Sequence, residues 1–411
     1  MTVTVLCAVR GPEETAVVVA LGAPASGATV TRRCGDLAEL LAAAAAGAGT
    51  VAVVSADLPG LDREAVGRLH QAGVRAVALP DAGVPVERLR AIGVDTVLER
   101  FDEDALLAAV RDTTPLTAPA EPGEPAPARD AADEPVGAED DVPPTPSTPG
   151  IVVAVWGPVG APGRTTTAIE LAAVLAGVGG RAVRRRMRRR GDAPEAPAAT
   201  ALLVDADTYG SSLAARLGML DDAPGLAAVA RAAGQGALDL PTLARHSPLV
   251  APRLRVLTGI TRAARWPELP ASALEVVLER SRELVDVTVV DCGPVIEADE
   301  LLMYDTHAPQ RNATTLAALQ AADVVVVVGA ADPIGVQRLV RGLEDLREAP
   351  VPVSGQLVVV ANRVRASAVG PDPERAVREA LARYAGVEDV HTVPDDGPAL
   401  DAALLTGRTL A

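Results

Sequence analysis

A glycine-containing loop and three aspartates carry the chemistry of this 411-residue chain. The stretch GPVGAPGRTTTAIELAAVLA, residues 157–176, runs straight on from an apolar strand at 151–156. A strand, a loop containing Gly160 and Gly163, and a Thr-Thr pair opening an amphipathic helix form the architecture of a phosphate-binding loop. Successive backbone N–H groups and the helix N-terminus would point at an anion, and a threonine hydroxyl would reach Mg2+. A glycine-rich turn alone says little, and its downstream context matters more. ALLVDADTYGSSLAARLG (201–218) puts Asp205 and Asp207 at the end of the next strand. DVTVVDCGP (286–294) puts Asp291 at the end of another.

The cations are unusual. The sequence contains no lysine, so all 38 cationic side chains are arginine. Chemistry that normally uses a lysine amine must here use guanidinium or be absent. A formal charge of −16 argues against a nucleic-acid coat or a polybasic membrane binder. Aromatic residues make up 1%, too few for the stacking platforms that bind single-stranded nucleic acid. Cys7, Cys34 and Cys292 are far apart with no CxxC, which fits a reducing cytoplasm better than a disulfide framework or a zinc site. His70, His246, His307 and His391 are equally scattered and offer no metal cluster. The start, MTVTVLCAVRGPEET, lacks the basic and long apolar regions of a signal peptide. The uncharged stretch 40–56 reads as helix then strand, so we expect no membrane span and a cytoplasmic location.

These residues need a scaffold that gathers strand ends. Apolar strands at 151–156, 202–205, 255–257, 287–291, 324–328, 357–361 and 390–393 alternate with helical patterns. The alternation predicts a doubly wound, mostly parallel α/β domain over 151–411, with its ligand site beyond the strands' carboxyl ends. Residues 113–150 differ abruptly: ten of the 38 are proline, and eight acidic residues face a single arginine. Such a segment cannot bury enough apolar surface to offset its ordering entropy, so a disordered linker is expected. In the remaining unit, 1–112, strands at 3–8, 51–55, 76–79 and 96–98 alternate with helices near 37–46, 63–72, 86–92 and 103–111. A smaller flavodoxin-like α/β domain is expected there.

TTTAIELAAVLAGVGGR followed by LLVDAD is interrupted by an insertion at 183–201. With the later VVVANRVR and HTVPDDGPALDAALLTGR, these stretches resemble the MinD/ParA family of deviant-Walker P-loop ATPases, from residue 151 onward. The tail and the preceding unit most resemble the CpaE/TadZ branch, which positions Flp-type pilus or secretion machinery and includes actinobacterial septum-site determinants. The resemblance implies ATP and Mg2+ as cofactors and a nucleotide-dependent homodimer. It puts Gly160, Gly163, Arg164, Thr165 and Thr166 at the Walker A positions, with Thr165 on Mg2+. It implies that Asp207 positions the attacking water, that Asp205 supports the metal shell, and that Asp291 holds Mg2+ through water. Asn362 falls where the family contacts adenine, and Pro394 begins the segment that closes over the base.

Departures from the family pattern bear on activity. Val159 stands at the signature lysine and Arg164 at the second lysine. Ala161 adds a Cβ where backbone approaches phosphate, and Pro162 removes an N–H donor. Losing one transition-state charge contact costs on the order of 10²–10³ in rate. Weak or modest nucleotide binding with slow or absent hydrolysis is expected.

In the first unit, VAVVSADLPG resembles a response-regulator receiver, with Ser55 at the phospho-accepting position and Asp57 two residues late. The acidic pair expected after the first strand is missing from residues 8–10. A degenerate receiver-like docking module is implied, with phosphotransfer at Asp57 as the alternative. Within the insertion, Arg184, Arg185, Arg186, Arg188, Arg189 and Arg190 could bind DNA phosphates or anionic lipid, or could form only a solvated loop. Arg338, Arg341 and Arg347 read as the solvated face of a helix. In YDTHAPQRN (304–312), Asp305 and Arg311 fit either a second switch or a capping loop. The expected function is nucleotide-dependent positioning of a pilus, secretion or cell-division apparatus. The alternatives are a ParA-like chromosome-partitioning ATPase on DNA, and a nucleotide-free scaffold with a vestigial P-loop.

Overall fold

Short runs of β-branched and small apolar residues build two mostly parallel sheets in this computed structural model. It describes residues 2–11, 13–81, 83–112, 148–178, 198–219, 225–297 and 309–410. Most of the expected linker, all six clustered arginines, and Asp305 lie outside the described residues. Two compact units result: Met1–Asp140 with Ala232–Ala237, and Asp141–Arg231 with Leu238–Ala411.

The first unit holds β1 (Val3–Ala8), β2 (Ala28–Arg33), β3 (Val51–Ser55), β4 (Arg75–Leu79) and β5 (Thr96–Val97). All pairs are parallel, in the order β2-β1-β3-β4-β5, the flavodoxin-like order. Side chains alternate through the sheet, so Val5 and Cys7 join a core on one face while Leu6 and Ala8 join the other. Asp36, Asp62 and Asp102 cap three of the helices by accepting backbone N–H groups. Where a receiver would carry its phospho-acceptor, the buried Ser55 hydroxyl accepts the Arg10 N–H at 2.8 Å. The helix Glu13–Gly22 and β2 were not expected. β2 is an edge strand of sequence ATVTRR in which only Ala28 is buried, so it shows no apolar run.

The second unit holds β6 (Ile151–Trp156), β7 (Ala201–Ala206), β8 (Leu249–Ala251), β9 (Leu254–Leu257), β10 (Val287–Cys292), β11 (Val324–Ala330), β12 (Gln356–Val364) and β13 (Val390–Pro394). Their order is β13-β12-β11-β6-β10-β7-β9-β8, and every pairing is parallel except β8 with β9. Seven of these strands were expected from sequence. β8 was not, because it is three residues long and largely exposed at the sheet's edge. The central strands read as near-continuous valine runs because helices cover both faces. In register, Asp291 on β10 stands directly beside Asp205 on β7. β6 and β10 are neighbours, so the loop leaving β6 and the carboxylates ending β7 and β10 share one end of the sheet.

Gly157, where β6 becomes the loop, passes so close to β11 that a Cβ there would collide with the Val328 carbonyl oxygen. Backbone cannot retreat as a flexible side chain would. Gly157→Ala is expected to destabilise the second unit by about 1–3 kcal/mol. Urea unfolding checks this, and an unchanged midpoint contradicts it.

Candidate functional site

The loop from Gly157 to Gly163 turns twice through left-handed backbone, at Gly160 (φ 79°) and Gly163 (φ 96°). Gly163 starts the helix Arg164–Leu175, and side chains cannot easily follow it into that conformation. A Cβ at Gly163 would also strike the amide nitrogen of Asn362, which donates to Pro162 O at 3.2 Å. The first N–H groups of the helix have no intrahelical acceptor, and its dipole presents positive potential to the loop. The cradle is nevertheless poor in donors. Pro162 has no N–H, and the Ala161 N–H is spent on Pro158 O at 2.9 Å.

Three carboxylates face this loop from the neighbouring strand ends, and each is buried. Asp205 organises the chain that follows it: one oxygen accepts the Ser211 hydroxyl at 2.7 Å and the N–H groups of Ser212 and Leu213 at 3.0 Å. The oxygen expected to serve a metal shell is therefore busy holding a turn, and its other oxygen faces the Asp207 N–H at 3.4 Å. Asp207 accepts the N–H groups of Tyr209 and Gly210 at 2.8 and 3.1 Å. Its second oxygen lies 3.7 Å from the Arg164 guanidinium. Asp291 is different. Both its oxygens are buried and accept no hydrogen bond among the described residues, although the Thr165 hydroxyl is near enough to favour its ionised form.

Burial pushes the Asp291 carboxyl well above the ordinary aspartate range, and the charge of Asp205 adds to the shift. Burial raises Asp205 as well, opposed by the Leu213 N–H and the Ser211 hydroxyl. Three acids crowd this end of the sheet, and burial makes their charge costly. A divalent cation would relieve that cost, and Asp291 with Thr165 offers the oxygen donors that Mg2+ prefers. Among the described residues no group of three His, Cys, Asp or Glu could hold a metal ion unaided. Phosphate oxygens and water would have to complete the shell, as they commonly do for Mg2+.

Arg164 folds back over the loop, with Nη1 donating to Gly157 O at 3.1 Å. Its Nε is buried without a partner among the described residues. Near the loop, then, a buried donor and a buried carboxylate are both left without a hydrogen-bond partner among the described residues. Asn362, expected at adenine, ends close to the loop, and its carboxamide is oriented at both atoms: Nδ2 on Pro162 O, and Oδ1 accepting the Arg363 N–H at 2.8 Å. Pro394 closes β13, three strands away from β6, and is exposed. Among the described residues no hydrogen bond joins it to the loop.

Two arginines reach the loop that sequence reasoning did not single out for it. Arg216 donates to the Thr166 hydroxyl at 3.0 Å, and Arg338 donates to Gly160 O at 3.4 Å. Both come from distant segments, and no local pattern marks them. Arg311 is placed beside Tyr209: its guanidinium lies 4.1 Å over the ring and donates to Thr208 O at 2.8 Å. The Thr208 hydroxyl donates in return to Arg311 O at 2.9 Å.

No family model matches the chain, and no curated protein sequence matches it. Among solved structures, the ParA family ATPase from Chlorobium tepidum TLS is 17% identical, with a TM-score of 0.48 over 63% of this chain and 91% of its own. The McdA(D38A)–ATP complex from Cyanothece is 18% identical, with a TM-score of 0.45 over 64% of this chain and 90% of its own. The septum site-determining protein MinD from Pyrococcus horikoshii OT3, complexed with Mg-ADP, is 15% identical, with a TM-score of 0.45 over 64% and 87%. Function has to be read from the residues themselves.

The raised Asp291 carboxyl has a consequence for stability. The folded chain keeps this proton at pH values where the unfolded chain, at the ordinary value of 3.8, has lost it. Stability is full below that window and falls as pH rises through it. Asp291→Asn removes the buried charge, so its urea midpoint in metal-free buffer should exceed wild type at pH 7, with the gap closing toward pH 4. A lower midpoint for the variant at pH 7 contradicts this.

Proposed function

We propose that this chain is a MinD/ParA-like P-loop protein that binds ATP with Mg2+ and hydrolyses it slowly or not at all. The observation that carries the reading is the unanswered Asp291 carboxylate, buried beside Thr165 at the foot of a glycine loop that caps a helix. Bound Mg2+ would neutralise phosphate charge and the buried carboxylate together. Thr165 and Asp291 would hold it, the latter through water. The N–H groups around Gly160, Gly163 and Arg164 would take phosphate oxygens, with Thr166 beside them held by Arg216. Asn362 would meet the base, and Pro394 would lie at the start of the segment covering it.

Asp207 would orient a water: Tyr209 and Gly210 fix one of its oxygens, which supports giving the other this role. That second oxygen now faces Arg164, so the ion pair has to open before Asp207 can act. The donor-poor loop and this ion pair both favour slow turnover. The reading extends to a nucleotide-dependent homodimer that positions a pilus, secretion or cell-division apparatus, as in the CpaE/TadZ branch. The first unit, with Ser55 occupied by backbone in place of an acidic acceptor, serves as a receiver-like docking module. The acidic segment 113–150 links that module to the ATPase-like domain 151–411. No described helix is long and apolar enough to cross a membrane. A cytoplasmic location with recruitment to the apparatus belongs to the same proposal.

Calorimetric titration with ATP and Mg2+ tests the reading. Wild type should bind, and Arg164→Ala should weaken binding by roughly tenfold or more, the worth of a charged hydrogen bond. Steady-state assays should show little hydrolysis, and Asp207→Ala should remove what there is. Robust turnover that collapses in Asp207→Ala would overturn the slow-hydrolysis reading, and absence of nucleotide binding would leave a scaffold.

A further inference from the structure

Arg338 lies on the helix Pro333–Arg347, where the sequence pattern suggests a solvated face. Its side chain is exposed, in line with that pattern, and its guanidinium also reaches the loop. Nη1 donates to Gly160 O at 3.4 Å, and the guanidinium carbon lies 3.0 Å from where a Cβ on Gly160 would be. Gly160 is thus a notch that receives the arginine, and any larger residue would displace it. The helix itself is fixed against the same loop. Gly342, one turn further along on the same face, packs so that a Cβ there would be 3.0 Å from the Pro158 ring. Asp332 caps the helix start by accepting the Gly335 N–H at 2.8 Å.

The charge around the loop gives this placement its meaning. Arg164 is engaged by Asp207 and Gly157 O, and the buried Asp291 carboxyl also feels its charge. A polyphosphate would bring several more negative charges to the same end of the sheet. The loop's own tip offers nothing in return: Val159 is 63% exposed and uncharged. Among the described residues Arg338 pairs with no carboxylate, and its side chain is exposed. It can leave Gly160 O without breaking a buried contact. Arg216 is less free, because its guanidinium already serves Thr166.

We propose that Arg338 is the second cation of the phosphate site, contributed from outside the loop, and that it contacts the polyphosphate of a bound nucleoside triphosphate. This rests on the nucleotide-binding reading above. A guanidinium offers two parallel donors to phosphate oxygens, which a flexible amine at the loop tip would not. The loop would therefore be cationic through its neighbour's helix and not through its own sequence.

Titration with Mg-ATP, and with Mg-tripolyphosphate as a probe without base or sugar, over a range of salt concentrations tests this. Wild type, Arg338→Ala, Arg338→Lys and Arg341→Ala should be compared, the last as an exposed arginine on the same helix. Arg338→Ala should bind both probes roughly tenfold more weakly and with a flatter salt dependence, while Arg341→Ala should match wild type. Arg338→Lys should recover part of the affinity. Equal urea midpoints would show that the variants are folded. If wild type binds Mg-ATP and Arg338→Ala titrates like Arg341→Ala, the assignment of Arg338 falls and the nucleotide reading stands. If wild type binds neither probe, both fall.

Discussion

Burying three carboxylates at one end of a parallel sheet is the constraint to which the rest of the second unit answers. Each buried charge must be neutralised, hydrogen-bonded or paired, and the chain uses a different solution for each. Asp205 is hydrogen-bonded by the segment it organises. Asp207 is shared between an Asx-type turn and Arg164. Asp291 accepts no hydrogen bond among the described residues, and the nearby Thr165 hydroxyl and Arg164 charge do not offset the burial that raises its carboxyl. A side chain left in that condition in a well-packed core is costly, and in the proposed reading a bound cation would relieve that cost.

The lack of lysine shapes how the positive side of the site is built. A P-loop needs cations that tolerate close packing, and arginine brings a wide planar head where an ammonium would be compact. Here the wide heads lie around the loop as well as in it. Arg164 bends back to Gly157 O, Arg216 takes the Thr166 hydroxyl, and Arg338 fills the notch at Gly160. Glycines at 157, 160 and 163 make room, respectively, for the β11 backbone, a guanidinium and the Asn362 amide. The loop's glycines are explained by its neighbours as much as by any ligand.

Much of this was legible in the residues alone. Strands β1, β3 and β6 begin and end where their apolar runs do, and the three aspartates lie near the carboxyl ends of their strands because valine-rich parallel strands leave little ambiguity. β2 and β8 were invisible for the same reason in reverse: edge strands bury little and need no apolar run. Long-range contacts were the other blind spot. Nothing near Arg338 in sequence says that its helix packs on Pro158, and nothing near Asp205 says that one of its oxygens is already taken. Residue type and spacing identify which groups can act, but not which partners already occupy them.

The exchange between Thr208 and Arg311 ties the chain after Asp207 to the start of the helix Ala313–Ala321 in both directions, with Tyr209 clamped under the guanidinium. Two opposed hydrogen bonds and a stacked ring behave as a rivet, transmitting rotation as well as translation. The segment that follows Asp207 is thereby held in register with the start of that helix, although the two are about a hundred residues apart in sequence.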